Sequence, residues 1–200
     1  MELLHIEAFR FLNDLGKEYP SLNPLVLFFA EYMQFGLCAG MVFYWLTRTD
    51  KNRRMVLHAV LAFLLAEVIG KTAGLVYSHY QPFAELPNVN QLVAHAVDNS
   101  FPSDHSILFF SVCFTIWLTQ RRKTWLWLVI ACGVALSRVW VGVHYPIDVM
   151  AGALIGVFSA KLVVAIGPRL AILTKLLEAY ERVERRMIPM RGEGRDVSRG

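Results

Sequence analysis

The stretch "SRVWVGVHYPID", Ser137–Asp148, decides how this chain is read. It sets an arginine, a histidine and an aspartate within apolar sequence, where each is costly to keep in lipid. Pro146 suits the first turn of a helix, so the stretch reads as a hairpin between two spans. Arg138 then lies near the end of one span, and His144 and Asp148 open the next. Four positions separate His144 from Asp148, which puts both on one helix face.

Outward from the hairpin, the composition supports a membrane protein. Of 200 residues, 56% are hydrophobic and 18% charged, and the mean hydropathy is +0.43. That length suits one domain, and that balance is more apolar than ordinary globular composition. Five segments approach the roughly 20 helical residues needed to cross a bilayer. They are Asn23–Leu46, Met55–Tyr77, Asp104–Leu118, Thr124–Val143 and Tyr145–Ile166. Met1–Gly16 alternates apolar with acidic residues, unlike a cleaved signal peptide. Cys38, Cys113 and Cys132 fall in apolar segments, with spacing that suits neither a disulfide nor zinc.

Short basic connectors set the orientation. "RTDKNRR", with Arg48, Lys51, Arg53 and Arg54, and "QRRK", with Arg121, Arg122 and Lys123, are expected on the cytoplasmic side. The C-terminal region, with Arg169, Lys175, Arg182, Arg185 and Arg186, agrees. The connector from His79 to His105 contains no lysine or arginine. These signals together predict an odd number of spans in the cell membrane, with the N-terminus outside and the C-terminus cytoplasmic. Although the net charge is +4, the basic residues cluster in short connectors and the tail rather than on one helical face, so no nucleic-acid partner is expected.

The expected fold is an all-α integral membrane protein: a bundle of about five transmembrane helices with amphipathic helices at both termini. Residues 1–22 form the N-terminal amphipathic segment, through Leu3, Leu4, Phe9, Phe11, Leu12 and Leu15. Residues 23–168 form the transmembrane domain. Residues 169–188 form a cytoplasmic amphipathic helix, through Leu173, Leu176, Leu177, Tyr180 and Met187. Packing against a partner subunit is the other reading of that last pattern. Residues 189–200 are expected to be disordered.

In this topology Lys71, His105, Arg138, His144 and Asp148 reach similar depth on the outer side. Two cations and two imidazoles beside a carboxylate suit an anion, and phosphate is the obvious one. Phosphoryl transfer depends mainly on positioning and charge neutralisation. A histidine can act as nucleophile when a neighbour fixes its tautomer, and a second can shuttle the proton. "FPSDHS", Phe101–Ser106, supplies a helix start whose Ser103 hydroxyl and backbone N–H groups favour an anion. Asp104 fits poorly beside phosphate and is read as a cap or as the partner of a cation.

These residues resemble the type-2 phosphatidic acid phosphatase superfamily. "PSDH", Pro102–His105, is similar to its second motif, P-S-G-H, and "SRVWVGVHYPID" to its third, S-R-x5-H-x3-D. Within that superfamily, "FPSDH" and "HYPID" resemble bacterial undecaprenyl-diphosphate phosphatases of the bacitracin-resistance type. The resemblance implies His144 as a nucleophile that forms a phosphohistidine, with Asp148 as its orienter. It implies His105 as general acid and base, and Ser103 and Arg138 as holders of phosphate oxygens. It implies no metal and no cofactor, and a polyprenyl diphosphate lipid as the bound partner. The first motif, K-x6-R-P, is not matched: the chain reads "KTAGLVYSHYQPF", with Gln81 before Pro82 and Lys71 too far upstream. Asp104, Lys71 and Gln81 are thus carried as phosphate-side candidates in altered form.

Plainer readings stand beside these. Lys71 follows Glu67 by four, so a helical ion pair is open to it. Glu31 and Gln34 read as interhelical hydrogen-bonding residues. His58 and Lys161 read as reaching headgroups, and His79 and His95 as loop histidines, although His79 or Lys71 could move in to supply the charge that the first motif lacks. A zinc site from His105, His144 and Asp148 is disfavoured by the adjacent Arg138. Other substrates would be phosphatidylglycerophosphate or phosphatidic acid. A lipid transporter is the alternative from another class, although the chain lacks internal repeats.

Overall fold

Prolines and polar caps punctuate the apolar sequence into helices. The structure is a computed structural model and describes residues 2–120 and 124–187. The "RRK" of the second basic connector and the tail expected to be disordered lie outside the described residues, as do the side chains of Leu3, Leu4, Arg185, Arg186 and Met187. Helix α1 is Glu2–Glu18. Pro20 then begins a continuous helical rod, α2, over Pro20–Leu46. Helix α3 spans Asp50–Val76, and the short α4 spans Pro82–Glu85. They are followed by α5 (Asp104–Gln120), α6 (Trp125–Trp140), α7 (Pro146–Ile166) and α8 (Ala171–Met187).

The described residues are all helix, turn and loop. Among the described residues three helices are long and apolar enough to cross a membrane: Pro20–Leu46, Asp50–Val76 and Pro146–Arg169, where a short 3₁₀ turn extends α7. Helix α6 is apolar but shorter. The second span starts at Asp50 rather than Met55, because the Thr49 hydroxyl accepts from the Asn52 N–H at 3.3 Å. That cap draws "DKNRR" into the first turns of the helix. There Arg54 pairs with Asp50 at 2.9 Å, and Arg53 lies 5.5 Å from the centre of the Trp45 ring.

The chain divides into two compact units, Met1–Ala165 and Ile166–Gly200. In the first, α5 packs against both α3 and α6, while α1 and the middle of α2 lie on α6. Its core includes Leu37, Met55, Ala59, Phe109, Cys113, Ile116 and Val134. Small residues set the spacing of the helices, as is usual where lipid supplies no hydrophobic drive. Gly152 and Gly156 of α7 meet the backbone of the α5 segment directly. A Cβ on Gly152 would sit 2.6 Å from the Ser103 carbonyl oxygen, and one on Gly156 2.8 Å from the Ser111 nitrogen. This contact brings the "PSDH" and "HYPID" segments together. Leu64, Val68, Leu75, Leu154 and Phe158 point outward, as lipid-facing residues would.

Helix α1 is more than a surface amphipath. Phe9 is buried 5.5 Å from the Tyr145 ring, in a cluster with Val139 and Val149. Asn13 is buried too; its amide donates to the Trp140 and Asn90 carbonyls and accepts from the Asn90 N–H. Arg10 and Lys17 donate to the carbonyls of Pro87 and Asn88. The helix therefore straps the long connector onto the end of α6. In the second unit, α8 leaves Ile172, Leu176 and Val183 exposed.

Candidate active site

The hairpin forms as its sequence requires. Helix α6 closes in a Schellman arrangement: the Gly142 N–H donates to the Val139 carbonyl at 3.1 Å, and the Val143 N–H to the Arg138 carbonyl at 3.2 Å. Gly142 has φ +85°, and a Cβ there would lie 3.0 Å from the Asn90 carbonyl oxygen. Only glycine meets both demands without strain. Pro146 then starts α7, leaving His144 at the mouth of the hairpin.

His144 is buried, and its Nδ1 has defined partners. The Ser100 carbonyl lies 2.9 Å away and the Ser100 hydroxyl 3.1 Å away. That hydroxyl has a shorter contact, 2.7 Å, to Asp148 Oδ2, so its proton goes to the carboxylate. Both groups facing Nδ1 are therefore acceptors, and Nδ1 carries the hydrogen. The lone pair is left on Nε2. Asp148 Oδ2 also accepts the Tyr145 N–H at 2.8 Å. It stands 3.7 Å from His144 Nδ1, so the carboxylate orients the ring largely through Ser100.

Burial lowers the pKa of His144 below the ordinary histidine value, and the nearby charge of Arg138 adds to this. Asp148 and the Ser100 carbonyl pull the other way. The result is a neutral imidazole at physiological pH, with one free, basic nitrogen.

Arg138 is buried at the end of α6. Its Nη1 donates to the Ala30 carbonyl at 3.1 Å and lies 3.5 Å from Glu31 Oε1. Ala30 and Glu31 belong to a π-helical turn, Phe28–Tyr32, in the middle of α2. Such turns alter the hydrogen-bond register and recur at functional sites. The Nε of Arg138 is buried with no partner among the described residues, so one charged donor remains unused. His105 is half-buried at the start of α5, within electrostatic range of Arg138, His144 and His95. Ser103 is fully buried beside it; its hydroxyl accepts from the Ser106 N–H at 3.5 Å, and its N–H donates to the Asp148 carbonyl.

The structure thus brings together His105, Arg138, His144, Asp148 and Ser103. The other three candidates have different surroundings. Lys71 is exposed on α3 and pairs with Glu67 at 3.8 Å, the plainer reading of its spacing. Asp104 is exposed in the first turn of α5. Gln81 is fully buried, but its amide bonds to the Asp98 side chain and the Ala96 carbonyl and accepts from the Asp98 N–H. It braces the connector across 15 residues or more.

Three residues beyond the eight candidates belong to this neighbourhood. Ser100 carried no signal, because a loop serine has no periodicity. His79 and His95 read as ordinary loop histidines. Yet the His79 Nε2 stands 3.0 Å from Asp148 Oδ1, and the connector carries His95 toward His105. Among the described residues no group of three or more His, Cys, Asp or Glu is arranged to hold a metal ion.

Comparison with known proteins places this geometry in a family. The chain is 57% identical to a protein named bacitracin transport permease protein BcrC, of Bacillus licheniformis, over 98% of this chain and 97% of that protein. It is 28% identical to the undecaprenyl-diphosphatase BcrC of Bacillus subtilis strain 168, over 80% of this chain and 82% of that one. Among solved structures, the crystal structure of Aquifex aeolicus LpxE superposes with a TM-score of 0.66 at 26% identity, over 81% of this chain and 95% of that chain. Residues 55–171, from the start of the apolar part of α3 to the beginning of α8, match the PAP2 superfamily. They include all eight candidate residues and every segment of the His144 site apart from the α2 turn, and the chain belongs to the PAP2 superfamily.

Proposed function

We propose that this chain is an integral membrane phosphatase that hydrolyses undecaprenyl diphosphate to undecaprenyl phosphate and inorganic phosphate. The observation that carries this reading is His144, whose Nδ1 proton is engaged by Ser100 while Nε2 stays unencumbered. The undecaprenyl-diphosphatase named among its relatives supports the choice of substrate.

In this mechanism the diphosphate enters with its lipid tail in the bilayer. Arg138 Nε, the Ser103 hydroxyl and the N–H groups at the start of α5 hold the terminal phosphoryl oxygens. His144 Nε2 attacks the terminal phosphorus; a P–N bond forms as the bond to the bridging oxygen breaks. His105, protonated once the anionic diphosphate is bound beside it, gives its proton to the departing lipid phosphate. The positive charge that develops on the His144 ring is offset by Asp148 through Ser100. Water then attacks the phosphohistidine and gives a proton to the now neutral His105. Inorganic phosphate leaves, and both histidines return to their starting states. Every proposed step uses groups of this chain and water, so purified protein is expected to release phosphate at an undiminished rate in EDTA.

The site is assigned to the extracytoplasmic face, within five spans over residues 23–168, flanked by the segments 1–22 and 169–188. The basic connectors support that orientation. A C-terminal reporter fusion with cytoplasmic activity is expected; extracytoplasmic reporter activity would overturn the topology.

A panel of undecaprenyl diphosphate, phosphatidylglycerophosphate and phosphatidic acid tests the substrate. The highest kcat/KM is expected on the diphosphate, and a faster rate on either phospholipid would reassign it. The relative named as a transport permease keeps transport as the competing reading. Transport that survives loss of His105, without phosphate release by the wild type, would favour it. Ser100→Ala removes the hydroxyl between Asp148 and His144 but leaves the backbone carbonyl. It is expected to lower kcat by roughly 10- to 100-fold, the worth of one charged hydrogen bond, with little change in KM.

A further inference from the structure

His79 lies in the connector after α3, and both its ring nitrogens face acceptors. Nε2 is 3.0 Å from Asp148 Oδ1, and Nδ1 is 3.0 Å from the Tyr80 carbonyl oxygen. A carbonyl can only accept. The carboxylate accepts as well, since its other oxygen already takes the Ser100 O–H and the Tyr145 N–H. Both nitrogens must therefore donate, which requires an imidazolium. The ring is enclosed by Tyr77 at 5.4 Å, Tyr145 at 5.3 Å and Phe101 at 6.3 Å between centroids. The charged or titratable groups around it are Asp148 from α7, Glu85 from α4, Tyr77 and Tyr145. Its backbone is tied to the same network, because the His79 carbonyl accepts the Ser100 N–H at 2.9 Å.

We infer that His79 is a positioning residue: as an imidazolium it clamps Asp148 Oδ1, so that Oδ2 holds Ser100 and, through it, the His144 ring. This rests on the reading of His144 as nucleophile. Without the clamp, Asp148 is free to turn toward the His144 Nδ1, 3.7 Å away, and abandon Ser100. The clamp also gives a use to a stretch where the family's first motif is unmatched. Gln81 is engaged by Asp98 and Ala96, whereas His79, two positions earlier, brings a cation to the back of the carboxylate. The hydrogen bond to Asp148 raises the pKa of His79 above the ordinary value; partial burial opposes this, while the Asp148 charge, the Tyr80 carbonyl and Glu85 assist. A histidine with a raised pKa contributes fully below its unfolded value of about 6.5. That contribution fades as pH rises through the raised value.

The test uses the full chain in detergent, labelled with ¹⁵N-histidine, with the His79 signal assigned by its loss in His79→Asn. The imidazolium signature is expected to persist above the ordinary histidine pKa of about 6.5, and to titrate lower in Asp148→Asn. Titration at or below the ordinary value, or indifference to Asp148→Asn, would overturn the clamp. In steady-state assays His79→Asn, which donates without charge, is expected to lower kcat roughly 10-fold with KM nearly unchanged. It should also remove the alkaline limb that His79 contributes to the kcat profile. His79→Phe should lose more than His79→Asn. An unchanged kcat and pH profile in His79→Phe would overturn the proposal, and so would a rise in KM alone, which marks a phosphate ligand. The NMR arm needs no turnover. A chain that hydrolyses none of the lipid phosphates would therefore sink the proposed function while the clamp is still judged by titration.

Discussion

His144→Ala is expected to lower phosphate release from undecaprenyl diphosphate by at least about 10⁴-fold, the scale seen when a nucleophile is removed. The reason is geometric. Nε2 is the one nitrogen of the ring left free by the Ser100 and Asp148 network. His95 Nδ1 also faces a carbonyl, that of Ala96 at 2.8 Å, but His144 adds a hydroxyl held by a carboxylate. Acid and base contributions from His105 would survive but would have no nucleophile to serve. With substrate labelled in its terminal phosphoryl group, rapid quenching should capture an alkali-stable, acid-labile phosphoprotein from the wild type and none from His144→Ala. Full activity in His144→Ala would sink the mechanism. The pH dependence follows from the same site. Burial lowers the pKa of His144, and the proposed mechanism needs it neutral as nucleophile. The acid limb that it contributes to kcat/KM is therefore expected below the ordinary histidine value, and Arg138→Gln should move that limb upward.

His105→Ala is expected to cost about 10²- to 10⁴-fold, the usual range for a general acid and base. Its effect should depend on the leaving group. A lipid diphosphate expels a phosphate, which leaves readily, whereas a lipid monophosphate expels an alkoxide, which needs the proton far more. The loss should therefore be larger on phosphatidic acid than on undecaprenyl diphosphate. Because the proposed mechanism has the same residue activate water in the second step, the labelled phosphoprotein should accumulate in His105→Ala. Equal losses on both substrates, with no accumulation, would remove His105 from the proton path. Its lack of a hydrogen bond to any other described residue suits a ring that must exchange protons with substrate and water.

The difference between legible and hidden parts is physical. Helix spacing is a local property of sequence: the apolar runs, Pro146 at a helix start and Gly142 at a helix end belong to their own segments. The Arg138–His144–Asp148 register follows from one hairpin. Lys71 shows the limit of depth arguments, since the topology put it level with the site while the fold gives it Glu67 and leaves it exposed. Gln81 shows a second limit. It stands before Pro82 where the family's first motif has its arginine, but its amide bonds within the connector.

By itself, the sequence determined that the chain is a helical membrane protein and that Ser103, His105, Arg138, His144 and Asp148 share one region. Apolar length, capping residues and motif spacing carry that information locally. Only the tertiary structure decided how His144 is held. Gly152 and Gly156 let α7 approach α5 closely enough to bring the two motifs together. The connector then folds back under α1 to deliver Ser100 and His79 to the two oxygens of Asp148. Those contacts join residues 48 and 69 positions apart. No periodicity records such distant pairings, because they depend on where an irregular loop is pinned.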